Sequence, residues 1–459
     1  MSETRPRITG TEMEWPVMVK NHREKFFSQA TRSQIDAVYD RLDPGIKRVN
    51  TMLTNGARLY TDVGEHPEYA TPEDTSLWGT VANEIAGENI FYDALSAARD
   101  DGIVDDFILN KRVIDDELNT WGYHINLSFL RDERIGLEHN IYPLAPHLAT
   151  VAIYAGAGNI VRRGHSAVYT TAQKTLNLNT DMSTMSHQAD QPLMSLRDES
   201  HASGDVLGRA HITSMDANIS PWATWMKLGT TSLILKMIET GYWGQKPIDL
   251  GHNLFRLAKQ VAHDTSVSEP LTLSNGKKIK ALDIQGELLM HVQKMSHTEG
   301  VTGEEKQVMA EWERALDDLA IDPDKLVDRA DWVLKRAALR RFMGRHSLTL
   351  ADDATVKKER QWSHIGTTGI GVRHRDTLWR RWIKPETIEA AYHNPPRTTR
   401  ALARSAIIWQ LGEDNSDDAD DTGLNVTWDK AIYERNGNVW VFGLDNPYEA
   451  SLPDLSVEK

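Results

Sequence analysis

The sequence predicts an α+β protein, a sheet with helices gathered on one side, followed by a small C-terminal domain. Three observations predict it. Strand-like and helix-like segments are mixed in the first half of the chain, without the regular strand–helix alternation of a doubly wound fold. Residues 251–410 read as mostly helical. Beyond them a run with six acids in nine residues, Glu413 to Asp421, reads as a solvated linker, and a hairpin signal follows it. The expected division is therefore a large domain over 1–410 and a small one over 411–459.

The elements follow in order. RITGTEMEWPV alternates like a strand and puts Glu12 and Glu14, two apart, on one face. The charged stretch from Pro16 to about Val49 is expected to be helical. Met52 to Tyr60 and Thr61 to Tyr69 read as two strand-like pieces around an Asn55-Gly56 turn. Residues 73–100 carry helical periodicity, with Leu77, Val81, Ile85 and Ala86 on one side. Strand-like pieces recur at Thr120 to Leu130, Leu193 to Arg197 and Arg209 to Met215. A helix over Leu228 to Glu239 ends at Gly241, which can adopt the left-handed cap. In the C-terminal part, LNVTWDKAIYER-NG-NVWVFG predicts a hairpin with Asn436-Gly437 as a type I′ turn.

Composition narrows the function. The chain has 459 residues, 40% hydrophobic and 26% charged, enough to bury a large core. Its formal charge is −14, which argues against a general nucleic-acid binder. Cysteine is absent. That excludes disulfides, a thiolate nucleophile, Cys-ligated zinc and any thioester carrier on this chain. The N-terminal MSETRPRITG is polar, and the apolar segment Leu144 to Val161 is interrupted and too short to span a bilayer. A cytoplasmic protein without a membrane partner is expected. Charge is uneven: Arg329 to Arg404 holds 17 Lys and Arg against 7 Asp and Glu. Such a stretch is either an Arg-rich helical surface or a groove for an acidic partner or phosphates.

Two constellations could carry chemistry. Glu12 and Glu14, with Asp62, Glu65 and Glu68 of YTDVGEHPEY, form a carboxylate set. Hard cations such as magnesium want oxygen ligands, and converging carboxylates are costly unless a cation neutralises them. A lone E-x-E pair sits more often on a solvated strand edge. The second set is His124 with Asn126, and Arg209 with His211, each an i, i+2 pair on one strand face, with Arg197 as a further base. Phosphate oxygens want Arg and metals accept imidazole, although a single His is usually only hydrogen-bonded. No G-x-x-x-x-G-K-[ST], nucleophile elbow or H-E-x-x-H occurs, so a nucleotide would be held by metals and Arg on a sheet.

The segments GTEMEW at 10–15, LTNGARLYTDVGEHPEYATPE at 53–73, AGE at 86–88, SLRDESHA at 195–202 and MDANIS at 215–220 occur in this order. MKLGTTSLILKMIETG from Met226, ALDIQ at 281–285, ADWVLKR at 330–336 and NPPRTTRA at 394–401 continue them. Together they resemble the Pup ligase and Pup deamidase/depupylase family, distant relatives of glutamine synthetase among carboxylate–amine ligases. The resemblance implies a curved antiparallel sheet cradling ATP, packed on helices, with a small C-terminal domain. It implies that Glu12, Glu14 and Glu68 bind Mg2+ and that Asp62 is the catalytic aspartate, which we assign as the base for the target lysine. It places Tyr60 beside the metals, Arg209 and His211 on the strand facing phosphate and metal, and Arg197 in the Arg-Asp-Glu segment. Trp428 falls where the C-terminal domain approaches the nucleotide. The implied partners are Pup, a small acidic ubiquitin-like protein, and lysine-bearing target proteins. Depupylases carry a long loop ahead of NGARLY, and only Pro16 to Thr54 lies there in this chain, so the ligase branch is expected. The family's usual His-Glu-Asn reads His124-Ile125-Asn126, so one carboxylate is absent.

Overall fold

The computed structural model describes residues 6–21, 24–62, 64–117, 119–131, 142–184, 190–197, 207–242, 250–412 and 422–455. The acidic run 413–421 lies outside them, as does the segment from Asp198 to Val206. The chain divides into two units. One is built from Ile8–Asn110, Glu199–Leu207 and Ile383–Lys459, the other from Met1–Arg7, Lys111–Asp198 and Gly208–Trp382. Among the described residues no helix is long and apolar enough to cross a membrane.

In the first unit the strands Thr9–Glu14, Pro67–Ala70, Arg58–Thr61, Met52–Leu53 and Arg48–Val49 lie side by side in that order, all antiparallel. The Asn55-Gly56 turn forms as expected, with Gly56 at φ +85°. The helix Leu77–Asp100 starts at Ser76, whose hydroxyl accepts from the Gly79 amide. Its AGE segment has a packing reason. A Cβ on Gly87 would lie 2.3 Å from the Tyr69 ring, so only glycine lets helix and sheet approach this closely. Trp15 stacks on Phe91 at 5.1 Å, and the Tyr69 hydroxyl accepts from the Asn55 amide at 3.0 Å.

The stretch after Pro16 departs from expectation. It forms strands Val17–Lys20 and Ser28–Gln29, then only a short helix, Arg32–Tyr39. Val17–Lys20 pairs with Ser28–Gln29 and with Asp106–Leu109, so partners nearly ninety residues away override a charge-rich local composition.

At the C-terminus, strands Thr422–Val426, Lys430–Arg435 and Asn438–Gly443 form an antiparallel meander. Asn436 and Gly437 have φ of 52° and 76°, the left-handed pair that a type I′ turn requires. Leu424, Val426, Ala431 and Tyr433 share one core cluster with Ile407 and Ile408 of helix Ala401–Leu411 and with Met52.

In the second unit the strands Thr180–Ser183, Pro192–Ser195, Leu207–Ile212 and Tyr123–Leu130 are neighbours in that order. The first pair is parallel, so the sheet is mixed. The antiparallel sheet was what the family resemblance implied, and a period of two carries no information on strand direction. The helix Pro221–Glu239 is nearly all buried, and helices Ala281–Ser296, Gly303–Ile321 and Asp331–His346 follow. Two sequence motifs find their use in this core. Asp216 of MDANIS accepts the amides of Ala157, Gln173 and Lys174, and Asp331 of ADWVLKR accepts Ser220 N and the Asn218 amide.

Much of the basic stretch is also spent internally. Lys335 and Arg112 both pair with the buried Glu359, Arg336 pairs with Asp324, and Arg381 pairs with Asp328.

Candidate functional site

In the first unit, alternation along Thr9–Glu14 buries Thr11 and Met13 and leaves Glu12 and Glu14 half-buried on the other face. Antiparallel register then sets Glu14 opposite Glu68 and Glu68 opposite Tyr60. One carboxylate oxygen each from Glu14, Asp62 and Glu68 lie within 4.8 Å of one another. Glu68 is 3% exposed. Burial first, then the charges of Glu12 and Glu14, push its carboxyl well above the usual range, while a hydrogen bond from Tyr60 opposes the rise. Burial first, then the charges of Glu68 and Glu12, raise the Tyr60 phenol, keeping it a neutral donor.

Asp62 follows the strand Arg58–Thr61 and opens a tight return in which its amide donates to the His66 carbonyl and accepts the Glu65 amide on its own carbonyl. Gly64 and Glu65 take positive φ there, 105° and 65°. The His66 Nδ1 lies 3.5 Å from Glu14 Oε2. The donor set suits a divalent cation: oxygen ligands, like charges close together, and one buried carboxyl whose ionised form its surroundings disfavour.

Sequence reasoning missed Arg58. Its guanidinium stacks over the Tyr60 ring at 4.0 Å and its Nε donates to Thr51 Oγ1. The same i, i+2 argument that paired Glu12 with Glu14 pairs Arg58 with Tyr60.

Trp428 lies in the turn after Thr422–Val426, under the Arg404 guanidinium at 4.7 Å. Arg404 and Arg400 both clasp Glu73, which the sequence did not single out. Burial alone would raise the Glu73 carboxyl, but the two guanidiniums outweigh it and hold it down to about 2. A depressed carboxyl contributes stability that is complete above its unfolded value near 4.5 and is lost as pH falls through about 2. The shift is worth roughly 3 kcal/mol. In acid unfolding followed by circular dichroism, Glu73→Gln should therefore lose less stability across that window than the wild type. Equal slopes would refute it.

In the second unit, Arg209 and His211 share a face of Leu207–Ile212, with Arg209 Nη2 3.3 Å from His211 Nδ1. The His124 ring meets His211 edge-on at 4.8 Å, and His211 lies opposite Ser195 in register. Arg197 stands two residues beyond Ser195, where its amide donates to the Ser195 hydroxyl. Asn126 shares the His124 face, and its Oδ1 is buried without a partner among the described residues. Ile125 is fully buried on the opposite face of that strand. The missing carboxylate would therefore have pointed away from His124.

A sheet face of acids and a phenol, with a guanidinium alongside, is the equipment of a protein that binds a divalent cation and an anionic ligand. The family model for the Pup-ligase protein matches residues 7–432, and the chain belongs to that family. The Pup–protein ligase 1 of Rhodococcus erythropolis is 32% identical over 421 residues, 90% of this chain and 91% of that one. The Pup–protein ligase of Acidimicrobium ferrooxidans is 30% identical over 418 residues, 90% of each. Among solved structures, the complex between the prokaryotic ubiquitin-like protein Pup and its ligase PafA matches with a TM-score of 0.80 at 26% identity, covering 97% of this chain and 90% of that one. PafA in complex with ADP matches at 0.76 and 25% identity, covering 93% and 94%.

Proposed function

We propose that this chain is an ATP-dependent carboxylate–amine ligase that joins the C-terminal glutamate of Pup to a target lysine through an isopeptide bond. Family membership supports the reaction class, and the convergence of Glu14, Asp62 and Glu68 is the observation that carries it to named residues. A free carboxylate resists attack by an amine. Transfer of the γ-phosphoryl of ATP to the glutamate side chain gives an acyl phosphate, and the lysine amine then displaces phosphate.

The roles divide by chemistry. Glu12, Glu14 and Glu68 would hold Mg2+, which when bound supplies positive charge for the moving phosphoryl group. Tyr60 keeps Glu68 oriented by its hydrogen bond. Asp62 takes the proton from the incoming lysine ammonium, whose reference pKa is about 10.4. In the second unit we assign Arg197 and Arg209 to phosphate and His211 to a cation, and in the first we assign Arg58 to phosphate and Trp428 to the base of the nucleotide. The division at 410/411, the cytoplasmic location and a role in feeding proteasomal degradation belong to the same reading.

One assay tests it against a hydrolase of the same family. The protein is incubated with ATP, Mg2+, a lysine-bearing protein and Pup ending in Glu or in Gln, and ADP and product mass are followed. Stoichiometric ADP with conjugate supports ligation. Conversion of Gln to Glu without net ATP use means a deamidase, and neither product sinks both.

A further inference from the structure

Arg404 lies on helix Ala401–Leu411 with its side chain fully buried. Its Nη2 donates to the Gly56 carbonyl at 2.8 Å and pairs with Glu73, and its Nη1 donates to the Trp428 carbonyl at 3.2 Å. The same guanidinium covers the Trp428 indole. Three separate segments of the first unit therefore meet on one side chain. Gly56 sits in the turn that leads into Arg58–Thr61, the strand of Tyr60, with Asp62 just beyond it. Glu73 ends the segment that begins with Glu68 in strand Pro67–Ala70. Trp428 belongs to the C-terminal meander.

Stability alone is a poor reason for this arrangement. A buried ion pair roughly breaks even against apolar side chains of the same volume. The Arg404 Nε is moreover buried without an acceptor among the described residues, which adds a cost. What only a planar fork can do is hold three acceptors at its edge while its flat face covers a ring. Arg400 reinforces the clamp, bonding Glu73 at 2.7 Å through Nε and the Leu444 carbonyl at 2.8 Å through Nη1.

We propose that Arg404, clamped by Glu73, is a positioning residue that sets the Trp428 ring relative to the strands carrying Tyr60, Asp62 and Glu68, and so tunes nucleotide affinity without touching the reacting atoms. The inference rests on the reading of Trp428 as a neighbour of the nucleotide base. Loosening the clamp should weaken ATP binding and leave turnover at saturating ATP nearly unchanged.

The test is a double-mutant cycle on the full chain, with ADP affinity measured by calorimetry and kcat and KM for ATP by steady-state conjugation. Arg404→Lys keeps the charge and loses the fork. It should weaken ADP binding at least about threefold and raise KM for ATP in step, with kcat within about twofold. Added to Trp428→Phe, it should weaken binding less than about twofold further, because its effect runs through the indole. Wild-type affinity in Arg404→Lys, or a full multiplicative loss on top of Trp428→Phe, overturns the proposal while the reading of Trp428 stands. If Trp428→Phe alone binds ADP like the wild type, that reading fails and the proposal falls with it. Glu73→Asp, which shortens the clamp by one methylene at constant charge, runs the same cycle should Arg404→Lys not fold.

Discussion

Asp62→Asn retains ATP binding and loses conjugation. The amide keeps the size of the carboxylate and the backbone bonds to Glu65 and His66, so the return after Arg58–Thr61 stays intact. What it cannot do is accept a proton from the lysine ammonium, and general-base catalysis of this kind is worth about 10²- to 10⁴-fold. The expected result is a kcat lower by at least two orders of magnitude with KM for ATP nearly unchanged. Raising the pH should recover part of the rate, because more lysine is then already neutral. A variant that conjugates at the wild-type rate ends the assignment of Asp62 as base.

Glu68→Gln should have two effects of opposite sign. Glu68 sits buried against Glu12, Glu14 and Asp62, so without a cation its charge opposes folding. Removing that charge should raise the melting temperature of the chelator-treated protein. Adding Mg2+ should then stabilise the variant less than the wild type, and half-maximal conjugation should need at least about tenfold more Mg2+, a loss of about 1.4 kcal/mol. Thermal melts with and without Mg2+, together with a Mg2+ titration of the rate, check both. Wild-type behaviour in the two measurements would remove Glu68 from the metal ligands.

What the sequence made legible was what repeats at short range. The i, i+2 spacing put Glu12 with Glu14 and Arg209 with His211, and the structure places each pair on one strand face. Asn55-Gly56 and Asn436-Gly437 announced their turns because few dipeptides accept left-handed backbone so readily. The convergence of Glu14 with Asp62 and Glu68 was only a conditional expectation, since strand order across dozens of residues leaves no local trace. The strand Val17–Lys20 was hidden for the same reason, inside a run whose charges suggested a helix. Arg404 shows the limit most clearly. Its partners Gly56 and Glu73 lie more than three hundred residues away in the chain, and nothing about an Arg-x-x-x-Arg spacing at the start of a helix says that both side chains are buried.

The contact of Tyr69 with Gly87 also bears on how the acids come to be in place. Glu68 and Tyr69 are consecutive, so they point to opposite faces of the sheet. The phenol of Tyr69 is locked at both ends, its ring against Gly87 and its hydroxyl on Asn55. A slip of one residue in this strand would turn Glu68 into the core and Tyr69 out of it, and the ring would lose its seat against Gly87. Core packing thus proofreads the acid face during folding. The register that sets Glu68 opposite Glu14 is fixed by packing on the other side of the sheet.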